Sequence, residues 1–271
     1  MTRLQFQFGC GSLKLGGTLD TAPGTTGLLI VSGGNEIRSG AFAGQSRLAK
    51  RIAGAGFPVF RFDRRGIGDS EGDNRGFRSS EGDIRSALEA FRAMAPQMER
   101  VLAFGNCDAA SALMLMKGDG CDGLIVSNPW TIEDDDSSND EDEPQHAPEA
   151  IRARYLEKLK NPREIVRLLR GGVNLRKLAR GLTSSMRPSP PASSLAQDMQ
   201  SGLKQFEGTV HILLATGDRT AQLFESAWDK TDARIHRCEG AGHAYVESGH
   251  REWLEKQVLA ALRGLPNVRT G

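Results

Sequence analysis

Cys107 lies where an apolar strand-like run changes directly into a helix-forming run. A sharp strand-to-helix turn of this kind exposes one side chain for nucleophilic attack, and it needs small neighbours because the backbone is crowded. Gly105 precedes the cysteine by two residues, and Ala109 and Ala110 follow it closely. The pattern predicts that the sulfur of Cys107 attacks a carbonyl carbon. The alternative for a lone cysteine at a strand end is a small buried apolar residue.

Two later segments carry the acid and base that a nucleophilic cysteine requires. Asp218 comes shortly after an apolar run, and His243 lies among small residues after the next one. Cys107, Asp218 and His243 therefore occur in the chain order nucleophile, acid, base. We expect His243 to exchange a proton with the thiol and Asp218 to orient the ring, although Asp218 also suits an ordinary helix N-cap. Structural or exposed roles are predicted for the other histidines, namely His146, His211, His236 and His250.

The glycine-containing segment after the first buried strand is predicted to complete the site. The backbone N–H of Gly34 or of Asn35 would pair with that of Asp108 around an oxyanion, and the sequence does not choose between the first two. Each preorganised donor of this type contributes about 3–4 kcal/mol to catalysis. In the same segment, Glu36 and Arg38 are predicted to bind substrate.

A second glycine-rich loop, residues 62–72, reads Phe-Asp-Arg-Arg-Gly-Ile-Gly-Asp-Ser-Glu-Gly and also follows a buried strand. It lacks the third glycine and the immediate helix of a dinucleotide site, so we expect a structural loop and no nucleotide cofactor. The carboxylate of Asp108 would place negative charge beside the sulfur. Its side chain either points away or pairs with Arg38 or Arg64, and the sequence leaves these alternatives open.

Strand-like and helix-like runs alternate along most of the chain, which predicts an α/β fold with a mostly parallel sheet and helices on both faces. The runs near residues 5–8 and 13–19 are predicted to form an initial antiparallel pair. The later strand-like runs are 27–32, 58–63, 101–104, 123–127, 210–216 and 233–238. The helix-like runs are 42–55, 80–94, with Ser80 as a candidate N-cap, 109–117, 220–230 and 247–262.

Residues 131–205 interrupt this alternation. They open with an acidic run from Glu133 to Glu143 and continue with a basic stretch from Arg152 to Arg187. We predict a core of residues 1–130 and 206–271 that carries residues 131–205 as a helical cap insertion. A charge-selective substrate lid and a solvated helical excursion both fit this composition.

Composition limits the remaining possibilities. A chain of 271 residues suits one large α/β domain, and a net charge of +1 does not favour a nucleic-acid partner. The four cysteines lack zinc spacing, so no metal site is expected, and no apolar run is long enough for a membrane span. No secretory signal is recognisable, and we expect a cytoplasmic protein with reduced thiols and no cofactor. The oligomeric state stays open.

Together these motifs resemble the α/β-hydrolase superfamily over residues 27–130 and 206–262. The cysteine, acid and histidine set is similar to that of dienelactone hydrolases. A closer resemblance is to the exosortase A system-associated hydrolases, which belong to bacterial loci for exopolysaccharide production and protein sorting. The residues that carry this resemblance are Gly33, Gly34 and Arg38, the segment 60–72, Cys107, Asp108 and the segment 218–222.

The resemblance implies a hydrolase with an acyl-enzyme intermediate. A sulfur nucleophile favours ester, lactone and thioester bonds, so a small-molecule or acyl-carrier-linked substrate is expected. An acyltransferase with the same triad is one alternative. A non-catalytic binding module on a hydrolase scaffold is another, and it predicts no reaction with activated esters.

Overall fold

The computed structural model describes residues 1–132 and 193–265, which contain eight strands and six α-helices. The strands are β1 (Arg3–Cys10), β2 (Leu13–Asp20), β3 (Thr26–Val31), β4 (Val59–Phe62), β5 (Arg100–Asn106), β6 (Gly123–Ser127), β7 (Thr209–Ala215) and β8 (Ile235–Cys238). The helices are α1 (Gly44–Gly54), α2 (Glu81–Met94), α3 (Asp108–Leu115), α4 (Ser194–Gln205), α5 (Arg219–Ala227) and α6 (Ser248–Gly264).

All eight strands belong to one sheet, in the order β1-β2-β4-β3-β5-β6-β7-β8. β1 and β2 form the predicted antiparallel pair, β2 is antiparallel to β4, and every pair from β4 to β8 is parallel. The predicted fold class, a mostly parallel sheet covered by helices, is confirmed. Because parallel strands point the same way, the loops that follow β3, β5, β6, β7 and β8 meet at one edge of the sheet.

Helices cover both faces of this sheet because its central strands are apolar on both sides. Along β3, Leu28 and Ile30 pack on the side of α1 and α6, whereas Leu29 and Val31 pack on the side of α2, α3, α4 and α5. This alternation follows from the two-residue period of a strand. None of the helices in the described part combines the length and apolar character that crossing a membrane requires.

The last part of the predicted insertion is helix α4, which packs against α3. Its Leu195, Met199 and Leu203 are buried in the same apolar cluster as Leu113 and Met114 of α3. This helix therefore contributes to the layer that covers the sheet. Residues 133–192, with the acidic run and the basic stretch, lie outside the described residues, and the division into core and cap stays a prediction.

Two local predictions need correction. The helix expected from residue 42 begins at Gly44, because Phe42 and Ala43 adopt left-handed φ values of 51° and 57°. Ser80 precedes α2 as predicted, but its side chain makes no capping hydrogen bond. Instead its hydroxyl accepts from Arg64 Nη1 at 3.1 Å and donates to the carbonyl of Gly76 at 3.4 Å.

Gly105 is a position where β5 and α3 approach each other closely. A Cβ at this residue would lie 2.7 Å from the carbonyl carbon of Ala109 and 2.8 Å from its oxygen, both of which are backbone atoms. We expect Gly105→Ala to lower the free energy of unfolding by about 1–3 kcal/mol, since the helix must move away from the strand. Urea denaturation measures the effect.

Gly9→Ala in β1 is the matched control, because no heavy atom lies within 4 Å of the added Cβ. Its free energy of unfolding should change by less than about 1 kcal/mol. An unchanged stability of Gly105→Ala would contradict the close packing of α3 on β5.

Candidate active site

Cys107 makes the entire turn between β5 and α3. Its φ and ψ of 61° and −129° are rare for a residue with a side chain, and they fit the strained turn that exposes a nucleophile. Its backbone N–H donates to the carbonyl of Ser127 at 2.9 Å, which fixes the turn against the end of β6. The cysteine side chain is only half-buried, unlike an ordinary core thiol.

Asp218 performs both of the functions that its position suggested. Its carboxylate accepts from the backbone N–H of Ala221 at 3.2 Å and so caps α5. The same oxygen, Oδ2, accepts from Nδ1 of His243 at 2.9 Å. The helix cap and the ring contact are thus compatible.

His243 lies between Asp218 and Cys107. The hydrogen bond to Asp218 and, after it, the interaction with Cys107 raise the pKa of His243 to about 10, against the opposing effect of burial. Since Nδ1 is bound to Asp218, Nε2 is the ring nitrogen left for the sulfur. The structure therefore brings Cys107, Asp218 and His243 together, with the ring bound to the acid and beside the thiol.

The backbones of the two loops that carry the acid and the base also touch. The N–H of Gly217 donates to the carbonyl of Ala241 at 2.9 Å. A Cβ at Gly217 would lie 2.9 Å from that same oxygen, so a side chain there would push the loops apart. The separation of Asp218 and His243 is thus set by backbone contact as well as by their own hydrogen bond.

The predicted oxyanion segment lies directly beside the Cys107 turn. A Cβ at Gly33 would lie 2.5 Å from the carbonyl oxygen of Asn106 and 3.5 Å from Cβ of Cys107. The N–H of Gly34 donates to the carboxylate of Asp108 at 2.6 Å. That N–H is consequently bound to a side chain in this structure.

Arg64 is the arginine that pairs with the carboxylate of Asp108. Its Nη2 donates to the Asp108 carboxylate at 3.2 Å and to the carbonyl of Gly34 at 2.6 Å. Arg64 and Asp108 thus hold both backbone polar groups of Gly34, and the guanidinium compensates the negative charge beside the sulfur. This arginine is buried, and its own contact to Ser80 keeps it in place.

Of the remaining predicted site residues, Glu36 and Asn35 lie near His243, whereas Arg38 does not. Glu36 lines the cavity beside His243, and the side chain of Asn35 lies nearby on an exposed turn, where it accepts from Asn74 at 2.8 Å. Arg38 is directed elsewhere, because its guanidinium binds Asp63 and, at 2.7 Å, Asp69. The structure does not bring Arg38 to the catalytic groups.

A cavity of about 610 Å³ opens beside His243 between α1 and α6. Apolar side chains from the sheet and both helices form part of its wall, among them Leu48, Phe104 and Leu254. Its volume lies in the range of small-molecule sites. Of Cys107, Asp218 and His243, only His243 lines this cavity, so the cavity meets the three residues on the side of the imidazole.

Two of the other histidines lie on neighbouring strands. His211 and His236 stack on β7 and β8 with ring centroids 5.8 Å apart, and burial together with His236 lowers the pKa of His211. His250 contacts Glu247 at 3.0 Å, and His146 lies outside the described residues. Within the described ranges, no three His, Cys, Asp or Glu side chains cluster as a metal site would require.

Sequence reasoning missed several polar residues around the triad, and these are Asn106, Ser127, Asn128 and Tyr245. Asn106 lies between Gly105 and Cys107, and its residue type did not indicate a role in the site. Ser127 and Asn128 directly follow the apolar part of a buried strand. Their polar character at the carboxyl end of such a strand is the one sequence feature by which they could have been found.

The paired ring of His243 predicts a measurable titration. We expect its imidazole to titrate near pH 10 in an NMR experiment on ring protons, and Asp218→Asn should move the midpoint down towards the ordinary 6.5. Because the folded pKa is raised, this pairing stabilises the fold fully below pH 6.5 and ceases to do so as the pH rises through about 10. Glu247→Gln, which alters the partner of His250, is the control and should leave His243 unchanged. An ordinary His243 midpoint in the unmutated protein would contradict the pairing.

Comparison with solved structures shows the same architecture in several hydrolases. The α/β hydrolase GrgF from Penicillium sp. sh18 has a TM-score of 0.63 at 16% identity, covering 98% of this chain and 99% of that one. The Pyrococcus furiosus esterase Pf2001 has a TM-score of 0.61 at 12% identity, covering 98% and 92%. An α/β serine hydrolase homologue from Coxiella burnetii has a TM-score of 0.56 at 14% identity, covering 98% and 99%. At these identities the likeness shows the fold alone.

No curated protein sequence matches this chain. A family model does match it, over residues 28–256, and it describes the alpha/beta hydrolase family. That range includes Gly34, Cys107, Asp218 and His243, as well as all the parallel strands after the beginning of β3. The chain belongs to the alpha/beta hydrolase family.

Proposed function

We propose that this protein hydrolyses carboxylic ester or thioester bonds through Cys107, with His243 as the proton carrier and Asp218 as the group that orients it. The observation that carries the proposal is the position of His243, whose ring is hydrogen-bonded to Asp218 and interacts with Cys107. Membership of the alpha/beta hydrolase family supports hydrolysis as the general reaction. The names of the similar esterase and serine hydrolase homologue agree with acyl chemistry.

The reaction starts from a thiolate on Cys107 and a protonated His243. The thiolate attacks the carbonyl carbon, and the carbonyl electron pair moves onto oxygen to give a tetrahedral intermediate. As the intermediate collapses, the C–O or C–S bond breaks and Nε2 of His243 gives its proton to the leaving oxygen or sulfur. Water then loses a proton to His243 and attacks the acyl-enzyme, which releases the acid and returns the sulfur.

Backbone N–H groups at the beginning of α3 and in the loop after β3 would stabilise the oxyanion. The N–H of Asp108 is at the helix N-terminus, where positive potential is concentrated. The N–H of Gly34 is held by the Asp108 carboxylate, so its use requires that carboxylate to move. We therefore favour the N–H of Asn35 as the second donor.

Substrate class follows from the nucleophile and the cavity. A sulfur nucleophile acts well on esters, lactones and thioesters, whose leaving groups depart more readily than an amide nitrogen. The cavity beside His243 accepts a small molecule or the end of a carrier-linked acyl chain, and Glu36 in its wall would contact that substrate. A link to bacterial exopolysaccharide and exosortase systems rests on the resemblance described above, and a cytoplasmic location stays a prediction from the sequence.

Intact-mass analysis with a panel of activated esters and thioesters tests the proposal. We expect a single acyl adduct on Cys107 of the unmutated protein, and no adduct and no turnover for Cys107→Ala. The acylation rate of His243→Ala should be at least about 100-fold lower, which is the effect expected when a catalytic base is lost. Adding alcohol or thiol acceptors separates hydrolysis from acyl transfer. A folded Cys107→Ala variant with full turnover would refute the assignment.

Cys121→Ala is the matched control for that experiment. Burial raises the pKa of the Cys121 thiol to about 12, so it should take no acyl group near neutral pH. The control variant should form the same adduct as the unmutated protein at the same rate.

The contacts of Arg64 predict a second kinetic effect. We expect Arg64→Met to lower kcat by about 10-fold, because the loop after β3 loses its bond through Gly34 and the carboxylate of Asp108 loses its compensating charge. Arg65→Met is the control, since the guanidinium of Arg65 binds Asp83 and not Asp108 or Gly34. Arg65→Met should reduce thermal stability while keeping kcat. Equal kcat losses in both variants would argue against a specific role for Arg64.

A further inference from the structure

A buried polar cluster at the carboxyl ends of the central strands is not used in the reaction described above. Its centre is Asn128, which directly follows β6 and is fully buried. Burying an amide is unfavourable unless its donors and acceptor are all bonded. The partners of this side chain therefore indicate what the residue is for.

The amide of Asn128 connects the ends of two strands and one loop at the edge of the sheet. Its oxygen accepts from the backbone N–H of Ala215, at the end of β7, at 2.8 Å. Its nitrogen donates to the side-chain oxygen of Asn106 at 2.9 Å and to the backbone carbonyl of His243 at 3.4 Å. One side chain thus joins the strand before the nucleophile, the strand before the acid and the loop of the base.

The backbone of Asn128 also has an unusual conformation. Its φ is 44°, in the left-handed region, which asparagine tolerates better than most residues other than glycine. Its own N–H donates to the carbonyl of Leu213 at 2.9 Å, which ties the turn to β7. The left-handed turn aims the amide across the strand ends.

The carbonyl of His243 receives two amide donors in all. Besides Asn128, the side-chain nitrogen of Asn106 donates to it at 3.3 Å. Two residues further along the loop, the hydroxyl of Tyr245 bonds to that of Ser127 at 3.0 Å. The loop between β8 and α6 has no regular secondary structure, so these bonds fix the backbone from which the imidazole extends.

We propose that Asn128 is a positioning residue that holds the main chain of His243, together with Asn106, so that the ring reaches Asp218 and Cys107 at once. This role rests on the proposed function of His243. A residue that merely stabilises the core would lower the stability of the whole domain. A positioning residue also changes the titration of the ring and the reactivity of the sulfur.

Asn128→Gly tests the proposal, because glycine accepts the left-handed φ and removes the side chain that carries the amide. We expect kcat with an activated ester to fall about 10- to 100-fold with less than a 3-fold change in KM, which is typical of a misplaced catalytic group. The NMR titration midpoint of His243 should fall from about 10 towards the ordinary 6.5. Alkylation of Cys107 by iodoacetamide at pH 7 should slow in parallel.

Lys117→Gly is the matched control. Lys117 is an exposed residue after α3 with a φ of 60°, so the substitution relieves the same backbone conformation away from the site. It should leave kcat, the His243 titration and Cys107 alkylation unchanged.

Asn106→Ala provides a second measurement if Asn128→Gly does not fold. It removes the other donor to the same carbonyl and should lower kcat and the His243 midpoint in the same direction. In the double variant the kcat loss should be smaller than the product of the two single losses, because both residues act on one carbonyl.

The titration and alkylation readings do not require a known substrate. If the unmutated protein turns over no ester, the proposed function fails while these two readings still decide the role of Asn128. A folded Asn128→Gly variant with lower thermal stability but an unchanged His243 midpoint and unchanged Cys107 alkylation would overturn the proposal. If Asn128→Gly does not fold, the same unchanged readings in Asn106→Ala overturn it.

Discussion

The one-residue turn at Cys107 is the constraint to which the surrounding structure conforms. A φ of 61° at a residue with a side chain is unfavourable by itself, so contacts on every side must hold it. Gly105 lets α3 lie against β5, and Gly33 lets the loop after β3 lie against the turn. The bond from the Cys107 N–H to the end of β6 completes the enclosure. Gly105, Gly33 and the nearby end of β6 thus all serve the left-handed backbone conformation of Cys107.

The charged groups around the sulfur of Cys107 are paired within the protein. A carboxylate next to the nucleophile in sequence would by itself oppose a negative charge on sulfur. Here Asp108 is turned towards Arg64 and the N–H of Gly34, so that its charge is compensated within the protein. The bond to Asp218 and the interaction with Cys107 raise the pKa of the His243 imidazole to about 10, which favours the protonated ring. A positive charge on the ring would therefore face the sulfur without competition from an unpaired carboxylate.

The sheet and the proximity of Cys107, Asp218 and His243 were accessible from sequence because each depends on a local pattern. Apolar runs mark the strands. Cys107 directly follows β5, whereas Asp218 and His243 lie three and five residues after the ends of β7 and β8. Contacts between distant segments were not accessible. The Ser80 hydroxyl bonds Arg64 instead of capping its helix, and Arg38 turns to Asp63 and Asp69, because loop geometry decides these partners. The amide of Asn128 contacts the ends of β5 and β7 and the loop after β8, and no spacing in the sequence predicts these contacts.

Asp218 links a secondary-structure element to the reaction centre through a single oxygen atom. The Oδ2 atom that accepts from the imidazole also accepts from the first turn of α5. Fraying of that turn would release the carboxylate, and rotation of the carboxylate would release the turn. Fraying at the beginning of α5 and loss of imidazole orientation are therefore coupled through one atom. A ligand or partner that stabilises the first turn of this short helix would also stabilise the orientation of the His243 ring, although it touches neither the ring nor the thiol.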